Sequence, residues 1–403
     1  MKTKKIIALV LAAVMAVLSL AACGSASDKD SGKEAIKIGG IGPLTGGAAI
    51  YGSAAKNGAQ IAVDEVNALG GLQFDLRYED DVHDPEKSGT AYNTLKDWGM
   101  QISQISLGSV TSKPAVATSA EAANDHIFYL TPSASSTDVI GGVANPLTGT
   151  VEIERKDCVF QMCFVDPNQG SASAEYISEK QLGTKVAVIY KNDDVYSTGI
   201  YNSFAAEADK LGINIVSVST FTDDTSTDFS VQIADAKKAG ADLVFLPMYY
   251  EAASMIFIQA NAIGYKPTWF GVDGMDGILT LEGFDKSLAE GVILLTPFNA
   301  DADDDATSKF VAKYKEKYGE IPNQFAADAY DCIWALYDAL KDEDISTDIS
   351  ASELCDILMA KFTSADFKFD GLTGDGMTWD NTGAVSKSPK GMVIKNGAYV
   401  GLD

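Results

Sequence analysis

Short apolar segments alternate with helical patterns in two successive runs, and this alternation limits the chain to a few folds. In the first run the apolar segment 36–42 precedes a helical pattern at 51–69, and in the second the segment 185–190 precedes one at 200–211. Near-continuous apolar strands between helices are typical of parallel sheets covered on both faces. The pattern predicts an α/β protein with two doubly wound parallel-sheet lobes.

The segments after residue 290 are too few to form a third lobe. The 403-residue chain also exceeds the roughly 250–300 residues at which one hydrophobic core stops growing. We therefore expect the helical patterns at 306–318, 325–340 and 352–362, with a single terminal strand at 392–400, to complete the two lobes. The chain then crosses between the lobes more than once.

The first 22 residues have the pattern of a secretory signal peptide. A basic start, Met1 to Lys5, precedes an apolar run at 6–18, and the small residues Ala21 and Ala22 precede Cys23. A cysteine at this position resembles the bacterial lipoprotein signal, which implies lipid attachment at Cys23 and an extracytoplasmic location; a plain signal peptide is the alternative. Residues 23–35 are small and polar, which favours a flexible leash.

Composition excludes several classes of partner. The formal net charge is −25, and a surface this acidic repels nucleic acid and anionic lipid headgroups. After the signal peptide, no apolar run in the sequence is long enough to span a bilayer. We therefore expect no nucleic-acid partner and contact with the membrane through the lipid anchor alone. The net charge says little about a small-molecule ligand, because local residues determine such a site.

Cysteine and histidine give no sign of a metal site or a redox site. Cys158, Cys163, Cys332 and Cys355 remain after the signal, and we expect no functional disulfide. Cys158 and Cys163 would face opposite sides of one strand, and Cys332 and Cys355 lie in apolar helical patterns typical of buried thiols. The histidines, His83 and His126, have no second ligand at metal-binding spacing.

No catalytic or cofactor motif emerges from the sequence. The glycine-rich turn at 40–47 lacks the Gly-Lys-Ser/Thr ending of a phosphate-binding loop, and no G-x-S-x-G elbow occurs. We therefore expect a protein that is not an enzyme and that carries no cofactor.

Polar residues follow several predicted strands, at the edge where a parallel sheet binds ligands. Ser112 lies at a helix start, and Ser133 and Ser135 lie in the turn TPSASS; hydroxyls beside free helix amides suit a carboxylate. In the second run Tyr249 follows the strand DLVFLP, and Asp273 follows TWFGV, where an acid can hold an ammonium group. Ordinary turn and capping roles are the alternative for each.

Longer segments resemble one family. IKIGGIGPLTGGAAIYGSAAKNGAQIAVDEVNALGG, LGSVTS, LTPSASS, VDPNQGSASAEYI, FLPMYYEAA and GYKPTWFGVDG, in that order, are similar to the branched-chain amino-acid-type substrate-binding proteins of ABC importers, the leucine/isoleucine/valine-binding family. The resemblance implies the type I periplasmic-binding fold, with a hinge of three crossovers. It implies lobe 1 at 36–165 and 297–388, and lobe 2 at 166–296 and 389–403.

The resemblance also implies a set of ligand-binding residues. Ser112 and Ser135, together with the backbone of Ser133, match the residues that bind the ligand carboxylate. Asp273, supported by the hydroxyl of Ser135, matches the residue that binds the α-ammonium group. Asp273 is one methylene shorter than the glutamate of the leucine-binding member, and Ser135 replaces its threonine. The resemblance therefore does not determine which side chain the ligand carries. The complete implied set is Tyr51, Ser112, Ser133, Ala134, Ser135, Tyr196, Tyr249 and Asp273.

The function that the resemblance implies is capture of a small amino acid, branched-chain or otherwise apolar or aromatic, by hinge closure. The partners would be the transmembrane subunits of an ABC permease, and the receptor would act as a monomer. An amide, a urea-like solute or an aromatic carboxylate are alternative ligands. A sensor that serves no transport and an extracellular hydrolase are alternative functions.

Overall fold

The structure is a computed structural model that describes residues 35–103 and 111–402. The predicted signal peptide at 1–22, the lipid attachment at Cys23 and all of the leash except Ala35 lie outside the described residues. Residues 104–110, which include the first four residues of the LGSVTS segment at 107–112, lie outside them as well.

The first sheet has five parallel strands in the order β2-β1-β3-β4-β5. Its strands are β1 (Ile36–Gly42), β2 (Phe74–Asp80), β3 (Ile102–Ser103), β4 (Phe128–Thr131) and β5 (Val159–Gln161). The helices between them are α1 (Ala49–Leu69), α2 (Pro85–Trp98), α3 (Ser112–Asp125) and the short α4 (Thr137–Ile140). Helix α1 buries Ala55, Ala59, Ala62 and Val66, the apolar face that its spacing predicts.

The second sheet has seven strands in the order β12-β11-β10-β9-β8-β6-β7. Strands β6 (Val186–Lys191), β7 (Ile215–Phe221), β8 (Leu243–Leu246), β9 (Thr268–Gly271) and β10 (Ile293–Thr296) are parallel. Strand β11 (Lys390–Lys395) pairs antiparallel with β10, and β12 (Ala398–Gly401) pairs antiparallel with β11. Its helices are α5 (Asp166–Glu179), α6 (Val195–Leu211), α7 (Ser230–Ala239) and α8 (Tyr250–Ala262).

Three later helices return to the first sheet. They are α9 (Asp305–Tyr318), α10 (Gln324–Leu340) and α11 (Ala351–Phe362). Helices α9 and α10 pack on α1, and α11 packs on β4. These contacts support the lobe boundaries implied above, which remain a proposal.

The two sheets repeat one strand order, which places the candidate site. In each sheet the first strand along the chain has the second strand on one side, at the edge of the sheet. The third, fourth and fifth strands follow in order on the opposite side of the first strand. The order reverses between the first and third strands, and ligands bind at the carboxyl ends of strands next to such a point. The predicted fold class, two doubly wound α/β lobes, is confirmed.

Three local predictions are wrong. The terminal segment forms a hairpin rather than one strand, because Asn396 (φ 53°) and Gly397 (φ 73°) both adopt the left-handed conformation that a two-residue hairpin turn requires. The helical pattern at 171–182 predicts a helix that begins at Ser171, but α5 begins five residues earlier, at Asp166, because Pro167 occupies its first turn. Helix α6 also begins five residues early, at Val195, because the Asp194 carboxylate accepts the Ser197 N–H as its N-cap.

Cys158, Cys163, Cys332 and Cys355 are buried free thiols. Within 35–103 and 111–402, no helix is both long and apolar enough to cross a membrane.

Candidate ligand-binding site

The first sheet contributes two polar turns to the candidate site. Ser112 begins α3 and is buried, and its Oγ accepts the Ser136 N–H at 3.1 Å. The Thr131 Oγ1 accepts the N–H of Ala134 at 3.0 Å and that of Ser133 at 3.4 Å. These contacts hold the two turns side by side at the carboxyl edge of β4.

The side chain of Gln161, at the end of β5, fixes the second turn from below. Its Nε2 donates to the carbonyl oxygens of Ala134 at 2.6 Å and Ser136 at 3.0 Å. Ser135 lies between these anchored residues, and its buried Oγ has no hydrogen-bond partner among the described residues. Hydrogen bonds therefore hold the loop on both sides of Ser135, and the Ser135 hydroxyl lies beside the carboxylate of Asp166.

The second sheet contributes a buried acid held by a tyrosine. Asp273 follows β9, and its Oδ1 accepts the Tyr196 hydroxyl at 2.6 Å. The Tyr196 oxygen in turn accepts the Gly274 N–H at 2.9 Å. Burial raises the pKa of Asp273 to about 7, although these hydrogen bonds stabilise its ionised form.

Asp166 is a second buried acid, and the sequence reasoning missed it. It begins α5 and is 1% exposed, and its N–H donates to the Ser135 carbonyl oxygen at 2.9 Å. Neither of its carboxylate oxygens has a hydrogen-bond partner among the described residues. Burial raises the pKa of Asp166 well above its ordinary value; the nearby Ser135 side chain offsets part of this rise, and the negative charge of Asp273 adds to it.

Gln169, one turn after Asp166 on α5, is a further buried polar side chain. It is fully buried, and its side-chain amide lies near the Asp273 carboxylate but makes no hydrogen bond of good geometry in the described part of the chain. We call the group of Ser112, Ser135, Asp166, Gln169, Tyr196 and Asp273 the polar chamber. Buried polar groups are nearly always paired, so several unpaired groups around one point indicate the place of a bound polar molecule.

Aromatic side chains form one wall of the polar chamber. Tyr196 stacks on Tyr249, with centroids 4.6 Å apart and an interplanar angle of 9°. Tyr51 lies 5.7 Å from Tyr249 and 4.5 Å from Phe325, measured between ring centroids. The buried Tyr249 hydroxyl has no partner among the described residues. This wall suits an apolar or aromatic ligand side chain.

Hydrogen bonds also cross between the elements of the two sheets. The Tyr51 hydroxyl, on α1, donates to the carbonyl oxygen of Gly274 and accepts the Tyr250 N–H at 3.3 Å. From α10, the Gln324 Nε2 donates to the carbonyl oxygen of Asp273 at 2.9 Å. Among the predicted site residues, four thus come together: Tyr51, Tyr196, Tyr249 and Asp273. Ser135 is connected to them through Asp166, and Ser112, Ser133 and Ala134 lie at the edge of the first sheet.

A cavity of about 570 Å³ lies beside the aromatic wall rather than at the polar chamber. Tyr51, Tyr249, Asp194 and His83 are among its lining residues. Burial, reinforced by the positive charge of Lys191, lowers the pKa of His83 to about 4, and its Nδ1 lies 2.5 Å from Thr111 Oγ1. We interpret this cavity as an entrance to the chamber, because the two share the Tyr249 ring.

The donor set does not fit a metal ion. The described residues include no group of three or more His, Cys, Asp or Glu side chains placed to hold one. The chamber can instead pair a cation with carboxylates at one end and hold an anion with hydroxyls at the other.

Comparison with known proteins identifies the family. Residues 35–397 match the family described as periplasmic binding proteins, and the chain belongs to this family. The Leu/Ile/Val-binding protein homolog 3 of Brucella melitensis is 29% identical over 244 residues, which are 60% of this chain and 61% of that protein. The chain thus spans about three fifths of the length of that relative.

Two further relatives cover more of the chain. The Leu/Ile/Val-binding protein of Escherichia coli K12 is 25% identical over 354 residues, which are 87% of this chain and 88% of that protein. The branched-chain amino-acid substrate-binding protein LivJ of Streptococcus pneumoniae, solved in complex with isoleucine, superimposes with a TM-score of 0.76 at 26% identity and covers 91% of this chain and 97% of its own. The family resemblance seen in the sequence is confirmed.

Proposed function

We propose that this protein is an extracytoplasmic solute-binding receptor of an ABC importer, and that it captures a free amino acid with an apolar or aromatic side chain. The observation that carries the proposal is the pair of buried carboxylates, Asp166 and Asp273, with a hydroxyl of Ser135 beside them. Relatives named for leucine, isoleucine and valine support the ligand class.

In this proposal the ligand lies across the polar chamber. The α-ammonium group lies between Asp166 and Asp273, where it neutralises charge that burial otherwise disfavours. The α-carboxylate accepts hydrogen bonds from the hydroxyls of Ser112, at the start of α3, and Ser135, in the following turn, with the backbone of Ser133 and Ala134 beside it. The ligand side chain packs on Tyr51 and Tyr249.

Hinge closure follows from the placement of these groups on two sheets. A ligand that contacts both edges binds the closed form better than the open form, so it shifts the equilibrium toward closure. The closed form would then be recognised by the transmembrane subunits of the permease. The receptor would act as a monomer, anchored by acylated Cys23, and release its ligand chemically unchanged.

The charges of the chamber weigh against the alternative ligands. An amide, a urea-like solute or an aromatic carboxylate has no ammonium group, so it would leave Asp166 and Asp273 without a counter-charge. An aromatic carboxylate would add a further negative charge to the same buried space, which costs free energy.

A ligand screen with one variant tests the proposal. Leucine, isoleucine, valine and phenylalanine are compared with benzoate, acetamide and urea by thermal shift, since a ligand stabilises by RT ln(1 + [L]/Kd). We expect at least one amino acid to raise the Tm of the wild type and of the exposed control Asp209→Asn, but not of Asp273→Ala. A Tm increase by amides or benzoate alone, retained in Asp273→Ala, would overturn the proposal.

Two further measurements separate the alternative functions. Recovery of the bound amino acid unchanged after denaturation is expected of a receptor, whereas a hydrolase would yield products. Deletion of the gene is expected to abolish growth on a limiting supply of the amino acid; unaffected uptake would favour a sensor.

A further inference from the structure

A second cavity lies away from the polar chamber, next to the proposed second crossover between the lobes. We call it the hinge cavity. It has a volume of about 270 Å³, near the lower end of ordinary ligand pockets. Among its lining residues are Asp276, Leu279, Thr296, Phe298, Pro322 and Tyr399.

The walls of the hinge cavity are mainly apolar, with one buried acid. Leu279 is 6% exposed and Phe298 is 4% exposed, and the Tyr399 ring adds an aromatic surface. Asp276 is 5% exposed, and its Oδ2 accepts the Gln324 N–H at 2.9 Å. Its other carboxylate oxygen, Oδ1, is buried and makes no hydrogen bond of good geometry in the described part of the chain. Burial raises the pKa of Asp276 to about 6, and the nearby Gln324 N–H, Tyr399 hydroxyl and Gly277 N–H offset part of that rise.

The charges around the cavity are mostly negative. Asp301 and Glu320 line its exposed rim together with a single basic residue, Lys286. A buried carboxylate oxygen without a partner costs free energy, and a cation with N–H donors removes that cost. Exposed acids at the rim add an attractive field for a cation that approaches from solvent.

We propose that the hinge cavity is a second binding site, for a compact organic cation with an ammonium group on an aromatic or branched aliphatic body. The ammonium group donates to Asp276 Oδ1, and the body packs on Phe298, Leu279 and Tyr399. A bare metal ion does not fit, because only one buried carboxylate faces apolar walls.

The hinge cavity is connected to the polar chamber by the side chain and backbone of Gln324. Its N–H donates to Asp276, while its Nε2 donates to the carbonyl oxygen of Asp273 at 2.9 Å. Thr296, which lines the cavity, donates from Oγ1 to Gln324 Oε1 at 2.9 Å. The two sites are nevertheless distinct, since the Asp273 side chain belongs to the chamber and that of Asp276 to the cavity.

The test uses 2-phenylethylamine as the probe, in isothermal titrations of the full-length protein. We expect one equivalent to bind the wild type, and Asp276→Asn to weaken binding at least tenfold because the neutral amide does not pair with the cation. Asp273→Asn is the matched control, and it should change the probe affinity less than twofold.

A second variant covers the case in which Asp276→Asn fails to fold. Ala300 lines the cavity and is half-buried, so Ala300→Phe fills the cavity from its rim and should also weaken the probe at least tenfold. No binding to the wild type at 10 mM probe would overturn the proposal. So would binding that Asp273→Asn removes and both cavity variants keep, because the probe would then occupy the chamber. The same samples are also titrated with leucine. Leucine binding tests the proposed function of the polar chamber, and its result is independent of whether the probe binds the hinge cavity.

Discussion

Asp166 and Asp331 are both 1% exposed carboxylates, but their surroundings differ. Asp331 accepts N–H groups of Leu372 at 2.8 Å and Thr373 at 2.9 Å, and the Thr373 hydroxyl at 2.5 Å. Asp166 has unpaired oxygens beside another acid. The Asp331 carboxylate therefore stabilises the fold, whereas the Asp166 carboxylate lowers the stability of the ligand-free protein and can pair with a ligand.

Substitution by asparagine should separate these two roles. Asp166→Asn is expected to weaken amino-acid binding at least about 30-fold, the effect of removing one partner of a buried charged pair, and to raise the Tm of the ligand-free protein. Asp331→Asn is expected to lower the Tm, because several hydrogen bonds to a charged group weaken, while affinity changes less than twofold. Calorimetry and ligand titration measure both quantities; a lower Tm in Asp166→Asn would contradict this interpretation.

The raised pKa of Asp273 predicts opposite pH dependences for stability and binding. A group with a raised folded-state pKa stabilises the fold fully below its unfolded value and loses that contribution as pH rises. In the ligand-free protein, Asp273 should therefore contribute less stability as pH increases from about 4 to 7. Amino-acid affinity should instead fall below pH 7, approaching about tenfold per pH unit, because the ammonium group needs the ionised carboxylate.

Comparison of the wild type with Asp273→Asn isolates this contribution. The difference between their unfolding free energies should vary with pH across the interval from 4 to 7, and the pH dependence of the residual affinity should be smaller in the variant. Equal pH profiles of the two proteins would show that Asp273 does not titrate in this range.

Sequence reasoning found Asp273 but not Asp166, and the reason is local. An acid directly after an apolar strand stands out, whereas Asp166 precedes Pro167 and has the pattern of an ordinary helix start. Its role depends on the proximity of Asp273, 107 positions later, and that proximity arises only when α5 and the end of β9 come together in the folded second lobe. The unpaired oxygens that mark it are visible only in three dimensions.

At the scale of elements, α1 and α10 pack at unusually close range. A Cβ atom at Gly58, in α1, would lie 1.9 Å from the Ala326 carbonyl oxygen of α10. This contact joins a helix of the first run to a late helix. The sequence places both helices correctly, but nothing in their patterns predicts that a glycine sets the distance between them.

A glycine pair tests this contact. Gly58→Ala is expected to destabilise the protein by about 1–3 kcal/mol through overpacking against backbone. Gly89→Ala is the control: Gly89 lies inside α2 with no atom within 4 Å of its added Cβ, so alanine should stabilise by about 0.5–1 kcal/mol through helix propensity. Denaturant titrations of both variants measure the difference, and equal effects would contradict the packing argument.

Short elements were predicted less well than long ones. Strand β5 has three residues, Val159–Gln161, too few for a periodic pattern. The sequence predicts one strand where the second sheet ends in a hairpin, because the Asn-Gly turn lies inside a continuous series of strand-forming residues. Both elements are set by pairing with strands that are distant in sequence, which local propensity does not report.

At the scale of the whole molecule, the predicted lipid anchor decides where the receptor acts. Cys23→Ser removes the acylation site, so the protein should leave the membrane fraction and appear in the soluble extracytoplasmic fraction. Lipid chains contribute roughly 0.8 kcal/mol of membrane binding per buried CH₂, and the protein alone offers an acidic surface. Fractionation with immunodetection checks this, with Ser25→Ala as the control; a variant that stays on the membrane would contradict the anchor.

The overall architecture was predictable because its signals are long. Alternating strands and helices extend over the chain from Ile36 onward, and their two runs predicted the two sheets. The late helices α9 to α11 and the last two strands complete sheets begun much earlier. The sequence gives no direct sign of these long-range contacts. It shows only that the segments after residue 290 are too few to form a third lobe.

The central claim is that buried carboxylates hold the ammonium group of an amino acid, and one pair of titrations tests it most directly. The tightest ligand among leucine, isoleucine, valine and phenylalanine is titrated into the full-length protein, followed by its deaminated acid, such as 4-methylpentanoate for leucine. The account predicts 1:1 binding of the amino acid and a Kd at least about 100-fold higher for the deaminated acid, a difference of about 2.7 kcal/mol. Equal affinities, or binding of the deaminated acid alone, would contradict it.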